Sequence, residues 1–265
     1  MLKISGIFIY PIKSLGGISL TEANTTDRGL QYDRRWMLVD EAGVFLTQRS
    51  HPAMALLQVQ LQEDGLYVFH KHHPGQNILI PFEPESSQVT EVEIWDDHCS
   101  ALVVSETAGQ WFSGQLGIPC RLVLMPEATR REVDQQYAFN GEITSFADAY
   151  PVMMIGQASL DDLNSKLDVP VPMNRFRPNI VFSGGKPFRE DEMKSFQING
   201  ITFSAVKPCA RCVLTTINQE TAEKGKDPLA TLAAYRKSGN KILFGQNLLL
   251  QGQGKIRVGD DIIPV

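Results

Sequence analysis

Apolar and polar positions alternate along much of this chain at the two-residue period of half-buried strands. Leu2, Ile4, Phe8 and Tyr10 alternate with Lys3, Ser5, Ile7 and Ile9, which predicts a strand with both faces partly buried. "WMLVD" (36–40) and "VFLTQ" (44–48) flank Gly43 and predict a hairpin. "LLQVQL" and "LYVFH" around Asp64-Gly65 predict a second. "VEIW" and "ALVV" are further short strands. "HKHHPGQN" (70–77) and "PFEPESSQ" (81–88) are polar, turn-rich connections. In the second half the apolar runs "NIVFSG" (179–184), "ITFSAV" (201–206), "CVLTTI" (212–217), "NLLLQG" (247–252) and "KIRVGDDI" (255–262) predict strands.

Helical stripes are few. Ser105 is placed to cap a helix carrying Ala108, Trp111, Phe112 and Leu116, stopped by Gly117. Ser159 and Asp162 resemble a capping box before Leu160, Leu163 and Leu167. Asp227-Pro228 opens a third helix, with Leu229, Leu232 and Ala233 inward and Gly239 past its end. Many short strands with few helices predict a mostly β chain with peripheral helices, an α+β class built on β-barrels. The polar, aperiodic stretch 125–142 suggests two domains, 1–124 and 125–265.

Composition narrows the function. With 43% hydrophobic and 21% charged residues the chain is globular, and its net charge of −5 argues against nucleic acid or an anionic membrane as partner. No apolar run approaches the roughly 18 residues of a spanning helix, and the first residues lack a signal-peptide pattern, so a cytoplasmic location is expected. Four cysteines in 265 residues do not form a disulfide scaffold.

Two of them form the pair in "KPCARCVLTT" (207–216). A structural zinc site wants four ligands, usually as two close pairs, and only one C-x₂-C exists. A redox dithiol wants a helix N-terminus, whereas β-branched residues follow Cys212. Both cysteines could be buried small hydrophobes. Arg211 disturbs that reading, because a cation beside a cysteine favours thiolate and offers a fork to an anion. A nucleophile and a soft metal ligand both remain open.

Other cations occupy turn contexts. "YPIKSLGG" (10–17) sets Lys13 and Ser14 before two glycines, a loop suited to phosphate although it is not a Walker A motif. In "YDRRWMLVD", Arg34 and Arg35 enter a strand, so one of them points inward. "TQRSHP" repeats the theme with Arg49 at a strand end, and in "NRFRPNIVFSGG" Arg177 precedes Pro178 and Asn179. "FGQN" (244–247) reads as an amide-rich turn. On an acidic chain, Lys13, Arg34, Arg177 and Arg211 together suggest a pocket for a multiply charged anion.

The stretches "YPIKS", "DRRWMLVD", "FADAYPVMMIGQASLDDLN", "NRFRPNIVFSGG", "KPCARCVLTTI", "FGQN" and "IRVGDDI" occur here in one order. In this the chain resembles the MOSC proteins, related to the C-terminal domain of molybdenum cofactor sulfurase, and within them the group of the mitochondrial amidoxime-reducing component. The resemblance implies a MOSC N-terminal β-barrel domain followed by a MOSC β-barrel domain. It implies the molybdenum cofactor (Mo-molybdopterin), with Cys212 as metal ligand and Cys209 as its neighbour. Lys13, Ser14, Arg34, Arg177, Asn179, Ala210, Arg211 and Cys212 would line the cofactor, with Arg49 and "FADAY" (146–150) as weaker candidates. Asp148 would join Cys212 as a catalytic residue, as a candidate proton donor.

The implied reaction is two-electron reduction of N-hydroxylated substrates: amidoximes, hydroxylamines and N-hydroxylated base analogues. The chain lacks the C-x₄-C-x₂-C of a fused ferredoxin domain and the N-terminal anchor of mitochondrial members. The expected partner is therefore an external electron donor, such as a flavoprotein reductase, a ferredoxin or a cytochrome b5-like protein. Two alternatives keep the same residues: a sulfur carrier with a Cys212 persulfide, and a protein that stores the cofactor.

Overall fold

The computed structural model describes all 265 residues. Seven strands form a closed ring: β1 (Leu2–Ile9), β2 (Val152–Gly156), β3 (Ile180–Ser183), β4 (Ser195–Ile198), β5 (Ile201–Arg211), β6 (Lys241–Gln251) and β7 (Asp261–Pro264). Around the barrel they run β2-β3-β1-β7-β4-β5-β6, and β6 pairs back onto β2. Only β2 and β3 are parallel neighbours. Closure removes every exposed edge from the ring. The interior holds Ile4, Ile7, Ile9, Met154, Phe182, Phe196 and Phe203.

The first strand was expected to place Ile4, Phe8 and Tyr10 on one face. A register shift between Ile4 and Gly6 instead turns Ile7 and Ile9 to the face of Ile4, because a bulge inverts the alternation beyond it.

Residues 10–124 wrap one side of the barrel. A sheet of Trp36–Val39, Arg121–Leu124, Asp97–Val103 and Val89–Ile94 accompanies a three-stranded sheet of Leu57–Leu61, Gly65–His70 and His73–Pro81. Trp36, Leu38, Val59, Val68, Phe112 and Leu122 form a second core between them. Helix α1 (Glu106–Leu116) starts where Ala108 N donates to Ser105 Oγ and ends at Gly117, as the stripe predicts.

Several expectations need correction. Residues 73–81 are one strand; it is exposed on both faces through Asn77, so it lacks alternation there, and it turns Ile78 and Ile80 into the second core at its end. The partner of "WMLVD" forms no full strand but closes the expected hairpin through the Val39–Phe45 bridge and the Asp40 N to Val44 O and Leu46 N to Leu38 O bonds. Helix α2 (Gln157–Asn164) begins after Gly156; Ser159 lies inside it and donates to the buried Glu190 carboxylate at 2.8 Å. Helix α3 (Leu229–Tyr235) follows Pro228 as expected, while Gly239 sits in the hairpin between Lys237–Ser238 and β6. "FGQN" lies within β6. "VLTT" (213–216) is a 3₁₀ turn, because Thr215 Oγ1 and Thr216 Oγ1 donate back to Cys212 O and Val213 O.

Candidate functional site

Two bulges in β5, at Ala205/Lys207 and Pro208/Ala210, bend its end while Ala210 and Arg211 stay paired with Leu243 and Ile242 of β6. Pro208, which cannot donate to a ladder, sits at the second. The bent end carries Cys209, Ala210 and Arg211 to a cavity of about 310 Å³ between the barrel and the N-terminal sheets. Its walls present six cations (Lys13, Arg34, Arg49, Arg175, Arg177 and Arg211) against a single acid, Asp148. On a chain of net charge −5, that concentration of positive charge calls for an anionic ligand.

Arg211 and Arg177 are fixed by backbone carbonyls, whereas Lys13, Arg34 and Arg49 also pair with acids. Arg211 donates to Phe244 O at 2.7 Å and Phe176 O at 3.0 Å. Gly245 (φ +83°) makes room for it: a Cβ there would meet the guanidinium and the Met154 carbonyl. Arg177 donates to Leu15 O at 2.7 Å, while its Nη2 is buried with no partner. Burial lowers its pKa to about 10, as desolvation disfavours the charge. Arg34 is the inward member of its pair. It donates to Asp33 at 2.6 Å, and its Nη1 also reaches Asn179 Oδ1 at 3.2 Å. Arg35 turns away to Glu127 and Met125 O. Tyr10 lies between the guanidiniums of Arg34 and Arg177, 4.3 and 4.1 Å from its ring.

Cys212 lines the same cavity as the N-cap residue just before the 3₁₀ turn. Arg49 donates Nε–H to its sulfur at 3.2 Å and Nη2–H to Asp148 at 2.8 Å, with its guanidinium over Trp95. Asp148 also accepts from Lys13 at 2.6 Å. Arg131 holds this loop from behind, donating to the carbonyls of Ser145, Ala147 and Asp148. Burial pushes the Asp148 carboxyl up, but Lys13 and Arg49 outweigh it and hold it well below the usual carboxylate range. Lys13 is only 4% exposed, and burial lowers its pKa to about 8 despite Asp148.

Four of the eight non-glycine residues with positive φ line this cavity: Ser14, Arg34, Trp95 and Arg177. Such conformations cost about 1 kcal/mol or more and persist where surrounding contacts impose them. The fold therefore holds strain at the place where the cations converge.

All nine residues singled out from the sequence line this cavity: Lys13, Ser14, Arg34, Asp148, Arg177, Asn179, Ala210, Arg211 and Cys212. Asn179 uses its amide internally, accepting from Met153 N and donating to Phe8 O, so it orients Arg34 rather than facing a ligand freely. Asp148, the candidate proton donor, is ionised and paired twice, which disqualifies it as an acid near neutrality.

Residues 1–119 match the MOSC N-terminal beta barrel domain, and residues 142–263 match the MOSC domain. The chain is 34% identical to mitochondrial amidoxime-reducing component 1 of Mus musculus, over 98% of this chain and 81% of that protein. The chain belongs to the MOSC family. This MOSC chain is also 33% identical to mitochondrial amidoxime reducing component 2 of Rattus norvegicus, over 98% of its own length and 82% of the relative. It is 29% identical to molybdenum cofactor sulfurase of Oryza sativa subsp. japonica, where it spans 99% of itself but only 35% of the larger protein. One of these relatives is named for the molybdenum cofactor. No helix of the MOSC chain is long and apolar enough to cross a membrane.

Sequence reasoning ranked Arg49 low and passed over Trp95, Met153, Arg175 and Phe176 as site residues. Arg49 carried a signal, a cation at a strand end. Trp95, Met153 and Phe176 are apolar or aromatic and carry no charge signal, and Arg175 is one more cation of "NRFRP" until the fold brings it to the cavity.

Proposed function

We propose that this chain is a molybdenum-cofactor-dependent reductase of N-hydroxylated compounds (amidoximes, hydroxylamines and N-hydroxylated base analogues), supplied with electrons by a separate donor protein. The observation that carries the reading is the Cys212 sulfur sharing one cavity with six cations, of which Arg177 and Arg211 are anchored on backbone carbonyls. The donor set fits the group: one soft sulfur for the metal, and charged N–H donors for the phosphate. The unpartnered Nη2 of Arg177 is a buried donor that an anionic ligand would satisfy after a small side-chain shift.

When bound, the cofactor supplies two-electron redox chemistry at molybdenum. Cys212 would be its protein ligand. Arg34, Arg177 and Arg211 would hold its anionic end, with Lys13 and Ser14 closing the wall. Ala210 stands beside Cys212 on the bent strand end, where its backbone borders the cavity. Lys13 Nζ is the proton source in this reading, because its lowered pKa brings it near neutrality. Asp148 keeps that ammonium and Arg49 in place.

A second reading, transfer of sulfur from a Cys212 persulfide, is supported by the likeness to the sulfurase and by a cation that contacts this sulfur. The test is metal and pterin analysis of wild type and Cys212→Ala from a host that makes the cofactor, followed by turnover of an amidoxime with a chemical reductant. Near-stoichiometric molybdenum and turnover, both lost in Cys212→Ala and largely kept in Cys209→Ala, support the reductase. Folded wild type without molybdenum or pterin, carrying persulfide on Cys212, overturns it in favour of sulfur transfer.

A further inference from the structure

Beyond the 3₁₀ turn, residues 217–224 form a short hairpin closed by the Ile217–Lys224 bridge. This hairpin reaches across to the N-terminal half. Gln219 Nε2 donates to Gln48 Oε1 at 2.9 Å, and Gln48 Nε2 donates back to Gln219 Oε1 at 3.2 Å. The two amides thus form a reciprocal pair. Both are buried, Gln48 completely. Gln48 Nε2 also donates to Ser14 O at 2.7 Å, and Lys224 Nζ donates to Arg49 O at 3.0 Å. Lys71 and His72 grip the hairpin tip at Gln219 O and Glu220 O.

These contacts close a circuit. It runs from the Cys212 sulfur through the 3₁₀ turn and hairpin to Gln219, across to Gln48, and along one peptide bond to Arg49. Arg49 then returns to the sulfur. An arginine on a loop is a mobile partner for a sulfur unless its backbone is held, since its side chain has several rotatable bonds. Here the backbone on each side of the Arg49–Cys212 contact is fastened to the other by buried amides. An unmatched buried amide would cost far more than a solvated one, so the pair has one favoured register.

We propose that Gln48 and Gln219 are positioning residues: their reciprocal amide pair sets the Arg49–Cys212 contact across the interface of the two halves. This goes beyond the reductase reading, and its test requires no cofactor. The readout is the rate at which iodoacetamide alkylates Cys212 in the full chain purified from a host unable to make the cofactor, followed by peptide mass mapping. Cys99 and Cys120, buried in the N-terminal half, report general loosening in the same sample.

Gln219→Met leaves Gln48 its bond to Ser14 and is the milder variant; Gln48→Met is the companion. Each is expected to change the Cys212 rate by roughly threefold or more, in the same direction as Arg49→Ala. In the Arg49→Ala background neither should change it further, because both act through that arginine. Cys99 and Cys120 should react at the parental rate. A parental Cys212 rate in Gln219→Met overturns the proposal. So do effects that multiply with Arg49→Ala, or an equal acceleration of Cys99 and Cys120. If Gln48→Met fails to fold, Gln219→Met alone decides.

Discussion

Replacing Lys13 by methionine should remove a rise in stability that the wild-type chain shows on the alkaline side. The ammonium lies at 4% exposure, and its pKa falls from 10.5 to about 8. Burial is the larger cause, and the Asp148 carboxylate only partly restores the charge. Between these two values the unfolded chain binds a proton that the folded chain has released. Stability therefore increases with pH across that window. At 1.36 kcal/mol per unit, the wild type should gain about 2.5 kcal/mol relative to Lys13→Met between pH 7 and pH 10. The cysteines and tyrosines titrate there too, but in both proteins, so the difference isolates Lys13. The assay is urea unfolding of the two cofactor-free chains at several pH values, read as midpoint shifts at constant m. Parallel stability curves would refute the reasoning. They would mean that Asp148 fully compensates the burial and that Lys13 has no proton to give near neutrality.

Arg177→Met removes the guanidinium whose Nη2 is unpartnered and keeps most of the packing on Tyr10. Losing a charge-assisted contact should leave less than roughly a tenth of the bound pterin, measured by fluorescence after release. Ser159→Ala withdraws a hydrogen bond from the buried Glu190 carboxylate and should lower stability by about 1–3 kcal/mol in urea. Gly17→Ala would drive a Cβ into the Tyr10 ring, on which Arg34 and Arg177 stack. A loss of about 1–3 kcal/mol together with poorer pterin retention is expected, and wild-type values of both would contradict that account.

Local signals were legible where one side chain settles the matter nearby. Ser105 caps its helix through its own third neighbour, and Asp64-Gly65 turns its hairpin within a few residues. The cations of the cavity were legible as types, since charged residues entering apolar strands need a partner somewhere. What escaped depends on distant neighbours. Ser159 reads as a cap but serves Glu190, 31 residues away. The β-branched run after Cys212 reads as a strand until its threonine hydroxyls take backbone carbonyls. Arg49 meets Cys212 across 163 residues, and no spacing rule spans that distance.

The ring order of the barrel has a consequence for synthesis. Strand β1 pairs locally only with Ile18–Leu20 over its last residues, and its ring partners β3 and β7 lie near positions 180 and 261. It must wait for nearly the whole chain to emerge before its backbone finds those neighbours. Such late, long-range closure is slow and leaves the rest of an apolar strand unpaired in the meantime. A split at 124/125 would separate that stave from the ring, leaving one fragment with an unmatched strand and the other with a gap. Co-expressed halves should therefore recover cavity and function only by reassembling, with Leu2–Ile9 inserted between its two neighbours.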